Sequence, residues 1–225
     1  GDVYKRQAES ADGTPTNFEV VAWGDVDNDG DLDLAVGYLN TDMILTYRVY
    51  LNEGTELSTT AGWEITLPDY VISGDDHGVD VAWGDVNDDG ALDLTVINSE
   101  LSVYLYLNRG GRLENEPDWT AADSGYAWSL DWGDVDGDGD LDLAVGNCGQ
   151  PNKLYHNNSG TLQNTAAWAS GDADFTTSIA WADVNGDGWL DLATSGDGQP
   201  TKVYLNTRST LGRVAAWTSA DMGSV

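Results

Sequence analysis

The sequence predicts an all-β fold, a β-propeller made of four-stranded blades. Three observations carry that prediction. A nine-residue acidic motif occurs four times, aromatic landmarks recur in register with it, and the segments between read as short strands with no helical run of useful length.

The motif reads DVDNDGDLD at 25–33, DVNDDGALD at 85–93, DVDGDGDLD at 134–142 and DVNGDGWLD at 183–191, with starts 60, 49 and 49 residues apart. Trp23, Trp83, Trp132 and Trp181 stand two residues before each copy. Asn52, Asn108, Asn157 and Asn206 each close a Y-x-N segment, and Trp63, Trp119, Trp168 and Trp217 follow eleven residues later. The 11 extra residues of the first unit fall four before Asn52 and seven between Trp63 and Asp85.

Each unit resolves into strands in the same order. Ahead of the first motif, Val21 and Trp23 share one face and Ala22 takes the other. After it, Leu32, Leu34 and Val36 alternate with Asp33, Ala35 and Gly37. A third strand is expected at 48–52, with counterparts at 102–108, 153–157 and 202–206, and a weaker fourth leads to the later Trp. Four short strands per repeat is the pattern of propeller blades.

Composition bounds the rest. The 225 residues are 40% hydrophobic, enough for a packed core despite a net charge of -30. Ten Trp and ten Tyr against two Phe suit strand packing. Thirty-nine acids against nine bases exclude nucleic acid as a partner, and no apolar run is long enough for membrane insertion. Cys148 is the only cysteine, so there is no disulfide framework. Residues 2–7, DVYKRQ, read as an in-frame translation of a transposon-end sequence used in preparing sequencing libraries. Residues 1–7 are therefore set aside as a non-native leader, and the repeats are assigned to 8–225.

The motif has the composition of a cation loop. Positions 1, 3, 5 and 9 are always Asp or Asn: Asp25, Asp27, Asp29, Asp33; Asp85, Asn87, Asp89, Asp93; Asp134, Asp136, Asp138, Asp142; Asp183, Asn185, Asp187, Asp191. Alternate spacing lets oxygens converge, an invariant Gly at position 6 permits the reversal, and Leu at position 8 is expected to anchor the loop to the core. Position 7 (Asp31, Ala91, Asp140, Trp189) is expected to lend its backbone carbonyl and leave its side chain free, with Asp140 pointing its charge outward. An all-oxygen set with six or seven ligands selects Ca²⁺ over zinc or copper, one ion per repeat and four in all. An EF-hand is excluded because its twelfth position must be Glu and its flanks helical. Here that position is Val36, Val96, Val145 or Thr194, between strands.

Loops of the form D-x-[DN]-x-D-G-x-x-D, preceded by VAWGDV and followed by LDLAVG, resemble FG-GAP or VCBS-type repeats, which integrin alpha-subunit propellers also carry. The resemblance implies a propeller with one Ca²⁺ in the turn between the first two strands of each blade. It also implies a seven-bladed whole, of which this chain is an arc completed by further blades. A closed four-bladed ring is the alternative, since both ends fall at nearly the same phase of the repeat.

The function expected is a secreted or cell-surface module that binds protein or glycan partners, with Ca²⁺ structural. Candidate contacts lie in the loops after the second strands, at 38–47, 147–152 and 196–201. Gln150 and Gln199 occupy the two Gly-Gln-Pro segments there, and Trp128, which has no counterpart in the other units, could stack on a sugar. The alternative is the non-catalytic propeller of a secreted polysaccharide-degrading enzyme. His77 and His156 are the only histidines, neither in a nucleophile or metal-pair motif, so no catalysis is expected. His156 simply replaces the Leu found at 51, 107 and 205.

Overall fold

The computed structural model describes residues 17–39, 44–67, 79–97, 102–196, 198–208 and 210–219; the leader at 1–7 and His77 lie outside them. Four antiparallel sheets of four strands follow one another along the chain, each a meander in sequence order. The first holds β1 (Asn17–Gly24), β2 (Asp33–Leu39), β3 (Leu45–Tyr50) and β4 (Trp63–Leu67). The second holds β5 (Val81–Gly84), β6 (Asp93–Ile97), β7 (Val103–Tyr106) and β8 (Trp119–Thr120). Then come β9 (Ala127–Gly133), β10 (Asp142–Asn147), β11 (Lys153–Tyr155) and β12 (Trp168–Ala169). The last has β13 (Thr176–Ala182), β14 (Asp191–Gly196), β15 (Gln199–Tyr204) and β16 (Trp217–Thr218).

Every acidic motif is the turn between a sheet's first two strands, where Gly24 pairs with Asp33, Gly84 with Asp93, Gly133 with Asp142 and Ala182 with Asp191. The third strands stop short of the expected boundary. The Asn of Y-x-N leaves the sheet and forms an isolated bridge with a Leu five residues on, as in Asn108 with Leu113 and Asn157 with Leu162. The loop expected at 196–201 is also corrected. Gly196 pairs with Gln199, so the second Gly-Gln-Pro begins strand β15 and only two residues link it to β14.

The sheets stack face on face, β1 packing on β5, β5 on β9 and β9 on β13. Each boundary has its own apolar cluster drawn from both neighbours, so the core comes in three slices. One aromatic contact recurs: Trp63 on Tyr106, Trp119 on Tyr155 and Trp168 on Tyr204, all edge-on with centroids 5.3, 5.4 and 5.6 Å apart. Such a pair is worth ~1 kcal/mol beyond the area it buries. A second recurring contact needs glycine. A Cβ on Gly24 would lie 2.9 Å from Trp83 and Leu92, and Gly133 meets Trp181 and Leu190 in the same way. In the later three sheets the position-8 Leu (Leu92, Leu141, Leu190) thus packs on the preceding sheet, while Leu32 is exposed.

The four sheets do not close into a ring. Among the described residues, β13 has no packing on β1 like that at the three internal boundaries. Val21, Trp23 and Leu32 are exposed on the first sheet, and Val184, Val214 and Trp217 on the last. This overturns the closed four-bladed alternative, because the same boundary contact used three times does not bring the fourth sheet onto the first.

Hydrogen bonds from the Asn108, Asn157 and Asn206 side chains lock neighbouring sheets. The Nδ2 of Asn157 donates to Val86 O at 2.7 Å and to Leu141 O at 3.2 Å, and Asn157 is buried. Removing it strands two shielded carbonyls, at ~1–3 kcal/mol each. Asn157→Ala should therefore lower the urea midpoint clearly. Asn52→Ala should cost less, since Asn52 Nδ2 donates to Leu32 O of its own sheet; equal losses would remove the cross-sheet role.

Candidate metal centre

The four turns share one internal hydrogen-bond plan. The position-1 carboxylate caps the loop: Asp25 accepts from the amides of Asp29 and Gly30, both at 3.0 Å, and Asp85 from Asp89 and Gly90 at 3.1 and 2.9 Å. Asp134 accepts from Gly137 and Gly139, and Asp183 from Gly186, Asp187 and Gly188. Position 5 accepts the amide of position 7 in every copy. Two reversals make this possible. Position 6 glycines have φ of 97, 85, 97 and 89°, and position 4 is also left-handed: Asn28 at 60°, Asp88 at 56°, Gly137 at 75° and Gly186 at 76°. Asn, Asp and Gly are the residues that tolerate that region, a signal at position 4 that sequence reasoning missed.

Position 9 does something different. Asp33, Asp93, Asp142 and Asp191 are fully buried at 0% exposure. One oxygen of each accepts the position-2 amide (Val26, Val86, Val135, Val184) at 2.8 to 3.2 Å. The other accepts the amide of Asn52, Asn108, Asn157 or Asn206 at 2.7 to 2.8 Å. A carboxylate that its sequence position marks as a candidate ligand is therefore also a bolt from the turn to the end of the third strand. Its oxygens keep spare lone pairs for a cation.

Carboxylate oxygens of Asp25, Asp27 and Asp29 lie within 4.8 Å of one another, as do those of Asp134, Asp136 and Asp138. In the second and fourth turns Asn takes position 3, and both Asn87 and Asn185 accept the amide of position 5. Burial, and then the charge of its neighbours, raises the pKa of Asp27, where Asp29 and Asp33 add to the effect. Asp136 rises for the same reasons, with Asp142 and Asp138 as the neighbours. Internal amides thus satisfy part of the acidic loop and leave a negative potential at position 3. All-oxygen donors, convergence and uncompensated charge fit a hard cation.

Position-7 side chains are not free. Asp140 turns back and accepts the Ser159 amide at 2.7 Å, correcting the expectation of an outward charge. The Trp189 ring crosses to the third turn and covers Gly137, where a Cβ would meet it at 2.9 Å. His156 is a member that its sequence context did not announce. Its Nδ1 is 3.3 Å from Asp142 Oδ1 and 3.6 Å from Asp136 Oδ2, without the alignment of a hydrogen bond. Contact with Asp142 raises the imidazole pKa. The only sequence signal was the break from Leu at that register.

The other candidates sit apart from the turns, at the opposite strand ends. Gln150 folds onto Gly125, Gln199 is exposed at the start of β15, and Trp128 is half-buried on β9 with its Nε1 shielded. The structure gathers these three into no single site.

A family model described as FG-GAP-like repeat matches residues 85–145 and again 134–194. No curated protein matches the chain significantly. Two structures of BBS1N in complex with ARL6DN, soaked with lead and with mercury, align over 87% of this chain and 84% and 83% of theirs. Their identities are 11% and 12%, and their TM-scores 0.34 and 0.36.

Burial lifts two carboxyls far from the ordinary 3.8: Asp93 to about 6 and Asp80, which holds the amides of Leu130 and Val81, also to about 6. Folded values above unfolded ones mean that these groups stabilise most below pH ~4 and that this contribution is lost as pH rises through about 6. In chelator, the urea midpoint should fall between pH 5 and pH 7.5, with the carboxyl ¹³C resonances of Asp80 and Asp93 titrating near pH 6. Resonances titrating near pH 4 would refute the burial effect.

Proposed function

The chain belongs to the FG-GAP-like repeat proteins, and on that premise we propose that it is an extracellular binding module whose propeller blades are pinned by Ca²⁺. The observation that carries the calcium reading is the gathering of position-1, -3 and -5 carboxylates on one point in a turn of hard oxygen donors. The ion would be held by positions 1, 3, 5 and 9 with the position-7 carbonyl. Bound there, it supplies charge neutralisation and a cross-link between the first two strands. Calcium sites of ~10⁻⁴ to 10⁻³ M affinity fill outside cells, which favours a secreted or surface location.

The binding face is placed on the rim away from the turns, because the turns are committed to the cation and to the next sheet. Gln150, Gln199 and Trp128 mark it, and the ligand class is protein or glycan. No catalysis is assigned. His156 faces two acids of the turn rather than a nucleophile.

Calcium at tenfold its dissociation constant should stabilise by roughly 1.4 kcal/mol per site, a rise of about 3–5 °C in Tm for each. Asp25→Ala and Asp134→Ala should each remove one such increment, and a melting curve indifferent to chelator would dismiss the calcium. Binding is read on a glycan array in calcium buffer. Retention weakened by Gln150→Ala and Gln199→Ala supports the rim assignment; retention unaffected by either moves the ligand elsewhere.

A further inference from the structure

His156 stands just past β11, at the register where the other three sheets carry Leu51, Leu107 and Leu205. A leucine there offers no electron pair; the imidazole does. Its Nδ1 is shielded from solvent and makes no hydrogen bond. It faces Asp142 Oδ1 at 3.3 Å and Asp136 Oδ2 at 3.6 Å. One donor atom from each of the three side chains lies within 4.8 Å of the other two. Among the described residues, no other such group combines an imidazole with carboxylates or includes a position-9 Asp.

Both acids are fixed by the backbone. Asp142 is fully buried, with Oδ2 accepting the Val135 amide at 3.1 Å and Oδ1 the Asn157 amide at 2.8 Å. Asp136 Oδ1 accepts the Asp138 amide at 3.2 Å, which leaves Oδ2 turned to His156. Each carboxylate oxygen has two lone pairs, so an amide bond does not exhaust it. Around an ion with ligands at ~2.0–2.2 Å, neighbouring donors of a tetrahedron lie ~3.3–3.6 Å apart, as the two nitrogen–oxygen pairs here do. Spacing admits the ion, and the nitrogen selects its class. Ca²⁺ and Mg²⁺ take oxygen ligands, whereas imidazole suits zinc and its first-row neighbours.

We propose that the third turn is a site for a divalent transition metal of the zinc class, held by Asp136 Oδ2, Asp142 Oδ1 and His156 Nδ1. It shares Asp136 and Asp142 with the calcium reading of that turn but does not depend on calcium in any turn. The ion would tie the turn to the end of β11 through side chains, beside the link that Asp142 already makes to the backbone there.

Calorimetric titration of the calcium-free full chain with Zn²⁺ tests this. One tight site per chain is expected, and it should persist in ~1 mM Ca²⁺, where extracellular calcium modules are filled. The His156 imidazole ¹⁵N resonances should shift in step with the first equivalent. His156→Leu, which installs the residue of the other three registers, should fold as the wild type and bind zinc roughly tenfold or more weakly. Asp136→Asn should weaken zinc as well, whereas His77→Leu, at the only other histidine, should not. Equal zinc affinity in wild type and His156→Leu overturns the proposal in favour of an all-oxygen site. A wild type that binds no zinc overturns it too, and leaves His156 as an ion-pair partner of the two acids. Zinc held through His156 in a chain whose melting ignores Ca²⁺ would dismiss the calcium reading and uphold this one.

Discussion

The rest of this structure depends on a buried carboxylate that never reaches solvent. At position 9 of each turn, an Asp exchanges its hydration for two backbone amides, one at the start of the turn and one just past the third strand. Burying a charge costs several kcal/mol, and two short charge-assisted bonds offset most of it. The result is geometric. The turn, the second strand and the end of the third strand are held in one register, which places the Asn that follows the third strand where it can reach the preceding sheet. Val135 shows the coupling in one residue: its amide is held by Asp142 of its own sheet and its carbonyl by Asn206 of the next.

This arrangement also explains how so many acids sit together. Both oxygens of position 1 and one each of positions 5 and 9 accept amides of the same turn, as in Asp25, Asp29 and Asp33, so the loop is partly self-neutralised. The remainder concentrates at position 3, and there the next sheet leans in: the loop around Gly111 touches Asp27, and that around Gly160 touches Asn87. Away from the turns, paired acids behave in the opposite sense. Against the upward push of burial, Lys153 and Tyr155 hold Asp123 below the usual carboxylate range, and Lys202 and Tyr204 do the same for Asp172. Those clasps join the second sheet to the third and the third to the fourth.

Because each sheet touches only its neighbours, stability is a sum of sheet terms and boundary terms rather than one cooperative core. An end sheet has one boundary where an inner sheet has two, and the apolar residues of its second face stand in water. The blades are nearly interchangeable, but the small differences matter. His156 and Trp189 each make a contact that the other repeats lack, His156 with two acids of its turn and Trp189 with Gly137 of the preceding turn.

The amino-acid sequence by itself determined the repeat, the sheet count, the strand order and the turn residues. Those features arise from interactions spanning a few residues, and four registered copies amplify a weak local pattern into a firm one. Tertiary structure decided the rest. That position 9 is a bolt as well as a ligand candidate depends on an amide 15 residues away, in the case of Asn157 and Asp142. In the later three sheets Leu at position 8 packs on the preceding sheet, Asp140 turns inward and His156 joins a turn, because stacking sets which faces meet. The second Gly-Gln-Pro looked like the first in sequence, yet pairing of Gly196 with Gln199 made it a strand. Whether four blades close is the furthest from sequence of all. It depends on the angle at which one sheet lies on the next, and that angle comes from the packing of Trp, Tyr and Leu against glycine across boundaries that no local period records.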